Sequence, residues 1–306
     1  MLSLVDVGRR LLDVPSVFPR STSALFRSRV GWVAIVVVLA AAGCGAAHGG
    51  KHEEARTPAA ETRAPRLRAE IEFARAHDPR VATTFEGSWI TVGGSRAYLA
   101  VPVGASAPLP GIVLMHTARG LNRDIQLWSD RLAEEGYAAI AVDLYDGRVA
   151  DRREDALALR DEANERPEKN EAIIRNAYGY LASAPGIRAR RRALVGWSYG
   201  AGWATLMASK LPDVNAVVAH YGVADLGPDT VAKIQPPVLL ICGDRDETRD
   251  DVAAFATSLK TAGKAVQVVW VHADHGFVDP SNVSYDGTAA ERTYAEVRQF
   301  LQATLR

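Results

Sequence analysis

From residue 97 onward the chain alternates between apolar runs too short for helices and stretches whose apolar residues recur at helical spacing. The runs AYLAVPV, PGIVLMH, YAAIAV, ALVGW, AVVAHYG, PPVLLIC and AVQVVWV are nearly continuous in hydrophobicity. Between them, Leu121, Ile125, Trp128 and Leu132 share one helical face, as do Ile173, Ala177 and Leu181, then Val252, Phe255 and Leu259, and finally Tyr294, Val297 and Leu301. A strand whose every side chain is apolar must be covered on both faces, and helices between successive strands supply that cover. The pattern predicts an α/β fold, a mostly parallel, doubly wound sheet with helices on both faces. Right-handed crossovers place every strand-to-helix loop along one sheet edge, so chemistry is sought at the carboxyl ends of the strands.

The first 65 residues do not share this pattern. Arg27 and Arg29 precede the apolar run VGWVAIVVVLAAAGC, which has the layout of a secretory signal and is short for a membrane span. The stretch LAAAGC resembles a bacterial lipobox, which implies lipidation of Cys44 and a lipid anchor in the bacterial cell envelope, with Gly45 favouring the outer membrane. A transmembrane anchor is the alternative. Residues 45–65 are rich in Ala, Gly, Glu and Pro and almost free of large apolar side chains, the composition of a flexible tether. The expected organisation is a signal segment over 1–44, a tether over 45–65 and one globular domain over 66–306.

Composition excludes one broad class of partner. Lysine plus arginine and aspartate plus glutamate are equal at 36 each, and nucleic-acid binding needs a basic surplus. The other cysteine, Cys242, ends the run PPVLLIC and reads as a buried thiol. No His, Cys, Asp or Glu cluster has metal-ligand spacing, so neither a metal nor an organic cofactor is expected.

Within the domain, LVGWSYGAG places Ser198 where the strand ALVGW gives way to a helix. A chain turning that sharply needs small neighbours, and Gly196, Gly200, Ala201 and Gly202 supply them. A serine becomes a nucleophile only beside a base that is itself oriented by an acid, and in this architecture the three follow in the order serine, acid, histidine. After PPVLLIC comes GDRDETRD, and after AVQVVWV comes HADHGF. Asp246, a few residues beyond its strand, is preferred to Asp244, which sits close to the strand end. His275, in a loop before Gly276, is preferred to His272, which is still in strand register. His116 and His220 end other strands and read as structural. The charged segment from Asp146 to Asn170 reads as a solvated helix beside the site.

The stretches MHTARGLNRDI, LAEEGYAAIAVDLYDG, GWSYGAG, ICGDRDE and HGF occur in order across nearly the whole domain. Through them the chain resembles the dienelactone hydrolase family of the α/β-hydrolase fold from about Ser88 to Arg306. The resemblance implies Ser198 as nucleophile, Asp246 as orienting acid, His275 as base, and the backbone N–H groups of Tyr199 and Ala118 as the oxyanion hole. It also implies a small-molecule ester, thioester or lactone as substrate. Members that open dienelactone carry a cysteine at the position of Ser198 and a glutamate at that of Thr117, and this chain departs from them at both. It has Asp279, four residues after His275, where those enzymes place a carboxylate-binding arginine. A substrate carboxylate is therefore expected to meet repulsion there, unless Arg119 supplies a substitute cation, and a neutral substrate follows.

Overall fold

The computed structural model describes residues 86–306. The signal segment, the tether and Cys44 lie outside the described residues, as does the expected domain start at 66. Eight strands form one sheet: β1 (Ser88–Val92), β2 (Ser95–Ala100), β3 (Gly111–Met115), β4 (Ala138–Val142), β5 (Arg192–Trp197), β6 (Val214–His220), β7 (Val238–Gly243) and β8 (Val266–Val271), in the order β1-β2-β4-β3-β5-β6-β7-β8. β2 pairs antiparallel with β1 and β4, and every other pair is parallel. The helices are α1 (Arg123–Glu134), α2 (Arg153–Asn164), α3 (Pro167–Ser183), α4 (Tyr199–Ala208), the single turn α5 (Pro228–Val231), α6 (Arg249–Thr261) and α7 (Gly287–Leu305).

The central strands explain the apolar runs. Every residue of β3, β4 and β7 is buried, as a parallel strand between two helical layers must be. Alternation along β5 shows where those layers lie. Trp197 meets Trp128 of α1 with ring centroids 5.0 Å apart, and Trp128 in turn meets Tyr294 of α7. Its neighbour Gly196 points to the opposite face, where a Cβ would lie 2.1 Å from the Gly200 carbonyl oxygen of α4. So α1 and α7 cover one face and α4 the other.

Two local expectations are revised. The run AYLAVPV leaves the sheet after Ala100, since Pro102 has no N–H for a ladder and Val103 is 93% exposed. β1, with little burial and no apolar run, carried no strand signal. The segment expected as one solvated helix is two, α2 and α3. Pro167 begins α3 at its first turn, where a missing N–H costs nothing, and its ring disfavours helical geometry at Arg166, which sits at φ −129°, ψ 53°.

Candidate active site

Ser198 occupies the link between β5 and α4 with φ 51° and ψ −111°, a left-handed strain costing about 1–3 kcal/mol. The surroundings enforce it. Its N–H donates to the His220 carbonyl at 2.9 Å, and Ala201 N–H donates to the Ser198 carbonyl at 3.0 Å. A Cβ at Gly200 would lie 2.0 Å from the Met115 carbonyl oxygen, and one at Gly222 would lie 2.6 Å from that of Ser198. Any larger residue would push the elbow out of place. Although Ser198 stands at the N-cap position of α4, its side chain caps nothing there.

The hydroxyl instead meets His275, with Oγ 2.9 Å from Nε2. His275 comes from the loop after β8, and its Nδ1 lies 3.0 and 3.1 Å from the two carboxylate oxygens of Asp246. A carboxylate can only accept, so Nδ1 carries the proton and Nε2 accepts from the serine hydroxyl. The Asp246 side chain is fully buried in the loop after β7, where Oδ1 also accepts from the Thr248 N–H at 2.7 Å and the Thr248 hydroxyl at 2.9 Å. Tyr221 sets its ring edge-on to the imidazole at 5.0 Å. Sequence reasoning missed both Thr248 and Tyr221. Only the closeness of Thr248 to Asp246 in the chain hinted at the first, and nothing local points to the second.

The alternatives weighed from sequence pair with each other. His272 Nδ1 lies 3.0 Å from Asp244 on the surface, and Arg245 bridges from His272 to Asp274. Neither His272 nor Asp244 lines the cleft that holds Ser198.

Thr117, Ala118 and Tyr199 line that cleft beside Ser198. The segment carrying Ala118 is pinned from beneath. Buried His116 accepts the Leu144 N–H on Nε2 at 3.1 Å, which leaves Nδ1–H to donate to the Thr117 carbonyl at 2.6 Å. Burial pushes the His116 pKa down, so the ring is neutral and keeps that tautomer. Thr117 accepts the Arg119 N–H on its hydroxyl at 3.2 Å. Cys242 is a buried thiol with its pKa raised to about 12 by desolvation, an inert core residue.

The cleft encloses about 540 Å³. α2 contributes Arg153, Leu157 and Arg160 to one wall, and Arg153 reaches across to Glu247 at 3.1 Å. Among the described residues, no group of three or more His, Cys, Asp or Glu could hold a metal ion.

The surroundings of Asp279 bear on the expected repulsion. It lines the cleft but is only 3% exposed. Burial first, and the neighbouring Asp124 carboxylate second, push its pKa well above the usual carboxylate range. It is therefore harder to ionise than an exposed aspartate, which weakens the repulsion expected of it. Arg119 lines the same cleft, with its guanidinium donating to the Asp151 carbonyl at 2.6 Å.

A mostly parallel sheet with serine, aspartate and histidine in that order at the ends of β5, β7 and β8 defines an α/β-hydrolase-fold protein. The dienelactone hydrolase family model matches residues 95–305, and the chain belongs to that family, as a hydrolase acting on ester bonds. Protein usf of Aquifex pyrophilus is 29% identical over 192 residues, which is 60% of this chain and 82% of that protein. A dienelactone hydrolase-like promiscuous phosphotriesterase from metagenomic libraries superposes with a TM-score of 0.65 at 22% identity, over 73% of this chain and 99% of that one. The dienelactone hydrolase of Anabaena variabilis superposes with a TM-score of 0.55 at 20% identity, again over 73% and 99%. At those identities the two structures speak for the shared fold.

Among the described residues, no helix is long and apolar enough to cross a membrane.

Proposed function

We propose that this chain is a serine hydrolase that cleaves small neutral esters, thioesters or lactones through an acyl-enzyme. The observation that carries the reading is the unbroken hydrogen-bond chain from Ser198 through His275 to buried Asp246. Ser198 Oγ attacks the carbonyl carbon as its proton passes to Nε2 of His275, and Asp246 holds the imidazolium that forms. The oxyanion lies between the N–H groups of Tyr199 and Ala118, each donor worth about a hundredfold or more in rate. As the tetrahedral species collapses, His275 returns the proton to the departing oxygen or sulfur. In a lactone that oxygen stays tethered to the acyl group. A water then gives its proton to His275, its oxygen attacks the acyl carbon, and the acid leaves with Ser198 restored. Cys44 is proposed to carry lipid and hold the enzyme in the bacterial cell envelope.

Labelling with a fluorophosphonate probe tests the central step, because only an activated serine reacts. Wild type labels at Ser198, and Ser198→Ala neither labels nor turns over 4-nitrophenyl butyrate, with kcat down by about 10⁴ or more. A variant that kept more than about a tenth of wild-type turnover would overturn the mechanism and leave a binding protein on a hydrolase fold as the better reading.

A further inference from the structure

The two N–H groups assigned to the oxyanion are held in different ways. That of Tyr199 opens α4 directly after Ser198, so the elbow itself fixes its direction. That of Ala118 lies in the loop after β3, beyond the reach of the sheet ladder. Its direction has to be set from elsewhere. A trans peptide is a rigid plane whose C=O and N–H point opposite ways, so whatever grips the Thr117 carbonyl aims the Ala118 N–H.

Two donors grip that carbonyl. His116 Nδ1–H reaches it at 2.6 Å and the Gly120 N–H at 3.2 Å, which engages both of its lone pairs. The Ala118 N–H makes no hydrogen bond among the described residues, and Ala118 lines the cleft beside Ser198. One end of the peptide is tied down and the other is free to meet a developing charge. The Gly120 bond closes a turn at φ 92°, where a Cβ would lie 2.4 Å from the Arg148 carbonyl oxygen. The His116 bond is different, because the ring is fixed independently of the loop it holds. His116 is fully buried, its Nε2 accepts the Leu144 N–H at 3.1 Å just past β4, and the Tyr145 ring packs on it at 4.6 Å. The Leu144 N–H can only donate and the Thr117 carbonyl can only accept, so the two bonds specify one neutral tautomer. The end of β4 thereby sets the plane of the Thr117–Ala118 peptide. A donor on the carbonyl also polarises the amide and strengthens the N–H at its other end.

We propose that His116 is a positioning residue for catalysis, which aims the Ala118 N–H at the oxyanion by holding the Thr117 carbonyl. The proposal rests on the serine hydrolase reading above and assigns a residue that touches neither substrate nor triad. The oxyanion exists only in the tetrahedral species of acylation and deacylation, so both steps depend on His116 and its contribution falls on kcat, with KM nearly unchanged.

Two substitutions in the full-length protein separate the two ring nitrogens. His116→Gln puts an amide oxygen near the place of Nε2, which keeps an acceptor for Leu144 and loses the donor to Thr117. His116→Asn puts an amide nitrogen near the place of Nδ1, which keeps that donor and leaves the buried Leu144 N–H open. A histidine that served only the core would make the variant with the lower thermal midpoint the slower one. The reverse is expected. With 4-nitrophenyl butyrate, His116→Gln lowers kcat by about tenfold or more with KM within about twofold, and a trifluoromethyl ketone, which forms its oxyanion on Ser198, loses affinity by the same factor as kcat/KM. His116→Asn melts below His116→Gln yet keeps kcat within about threefold of wild type. The acidic limb of kcat/KM against pH, set by His275, stays in place in both. A kcat for His116→Gln within about threefold of wild type, a loss that appears in KM, or a slower His116→Asn than His116→Gln overturns the proposal. Should His116→Asn not fold, the kcat and ketone affinity of His116→Gln decide alone. None of these results touches the triad, which fails only if Ser198→Ala retains turnover.

Discussion

His220 makes the protein acid-sensitive in a way that can be assigned to one ring. It is fully buried at the end of β6, stacked on Trp197 with centroids 5.2 Å apart and planes 12° apart, and flanked by Trp128 at 5.7 Å. Burial depresses its pKa from an ordinary 6.5 to about 3. The unfolded chain therefore takes up a proton below pH 6.5 that the folded chain refuses. Stability from the neutral ring is fully present above about 6.5 and is lost as pH falls toward 3, by about 1.4 kcal/mol for each pH unit. Between pH 6.5 and 4.5 the loss is about 2.3 kcal/mol, since half of the unfolded chains are already protonated at 6.5. His220→Phe keeps an aromatic ring between the tryptophans and removes the titration. In urea unfolding at the two pH values, wild type should lose about 2.3 kcal/mol more than the variant. Every other titrating group, buried His116 included, contributes to both proteins and cancels. Equal losses, within about 0.5 kcal/mol, would refute the argument. Activity should follow, because the His220 carbonyl accepts the N–H of Ser198 and local opening there releases the elbow.

Three further outcomes are expected. His275→Asn and Asp246→Asn should lower kcat by about three orders of magnitude or more, whereas His272→Asn and Asp244→Asn, which dismantle only a surface pair, should stay within about twofold of wild type in steady-state kinetics. Gly200→Ala should abolish esterase activity and lower the thermal midpoint, because its Cβ would lie 2.0 Å from the Met115 carbonyl oxygen and backbone cannot yield cheaply; wild-type melting and turnover would contradict that. Expressed in a bacterium with its own N-terminus, the chain should fractionate with membranes, and Cys44→Ala should release it or block its maturation; mass spectrometry showing an unmodified Cys44 in an uncleaved chain would favour the transmembrane alternative.

The sheet was legible because burial on both faces leaves a central parallel strand few polar positions, so β3 to β7 announce themselves as apolar runs, while the edge strand β8 keeps an apolar run although only part of it is buried. β1 did not, since a half-exposed edge strand such as SWITV carries no such constraint. The break between α2 and α3 could have been read from Pro167, but the high charge of that segment drew attention to solvation instead. For the site, chain order and strand ends brought Ser198, Asp246 and His275 into view, and their hydrogen bonds are short-range facts that sequence only permits. Thr248 and Tyr221 were invisible because each acts through a neighbour that the fold, not the chain, puts beside it.

Asp279 shows most clearly where sequence reasoning stops. Its letter and its spacing from His275 were correct, and from them a negative charge facing the substrate was inferred. Charge, however, belongs to an environment and not to a residue type. The carboxyl of Asp124, more than a hundred positions earlier, shares its buried site and pushes its pKa up, with Arg119 opposing. The aspartate that stands where the resemblance places a carboxylate-binding cation is thereby held back from ionising, with the Tyr221 hydroxyl as its hydrogen-bond partner. An aspartate in place of that cation on an exposed loop would simply repel anions. Within this wall, burial raises its pKa and the Tyr221 hydroxyl engages its carboxyl, so the residue letter alone does not give the charge.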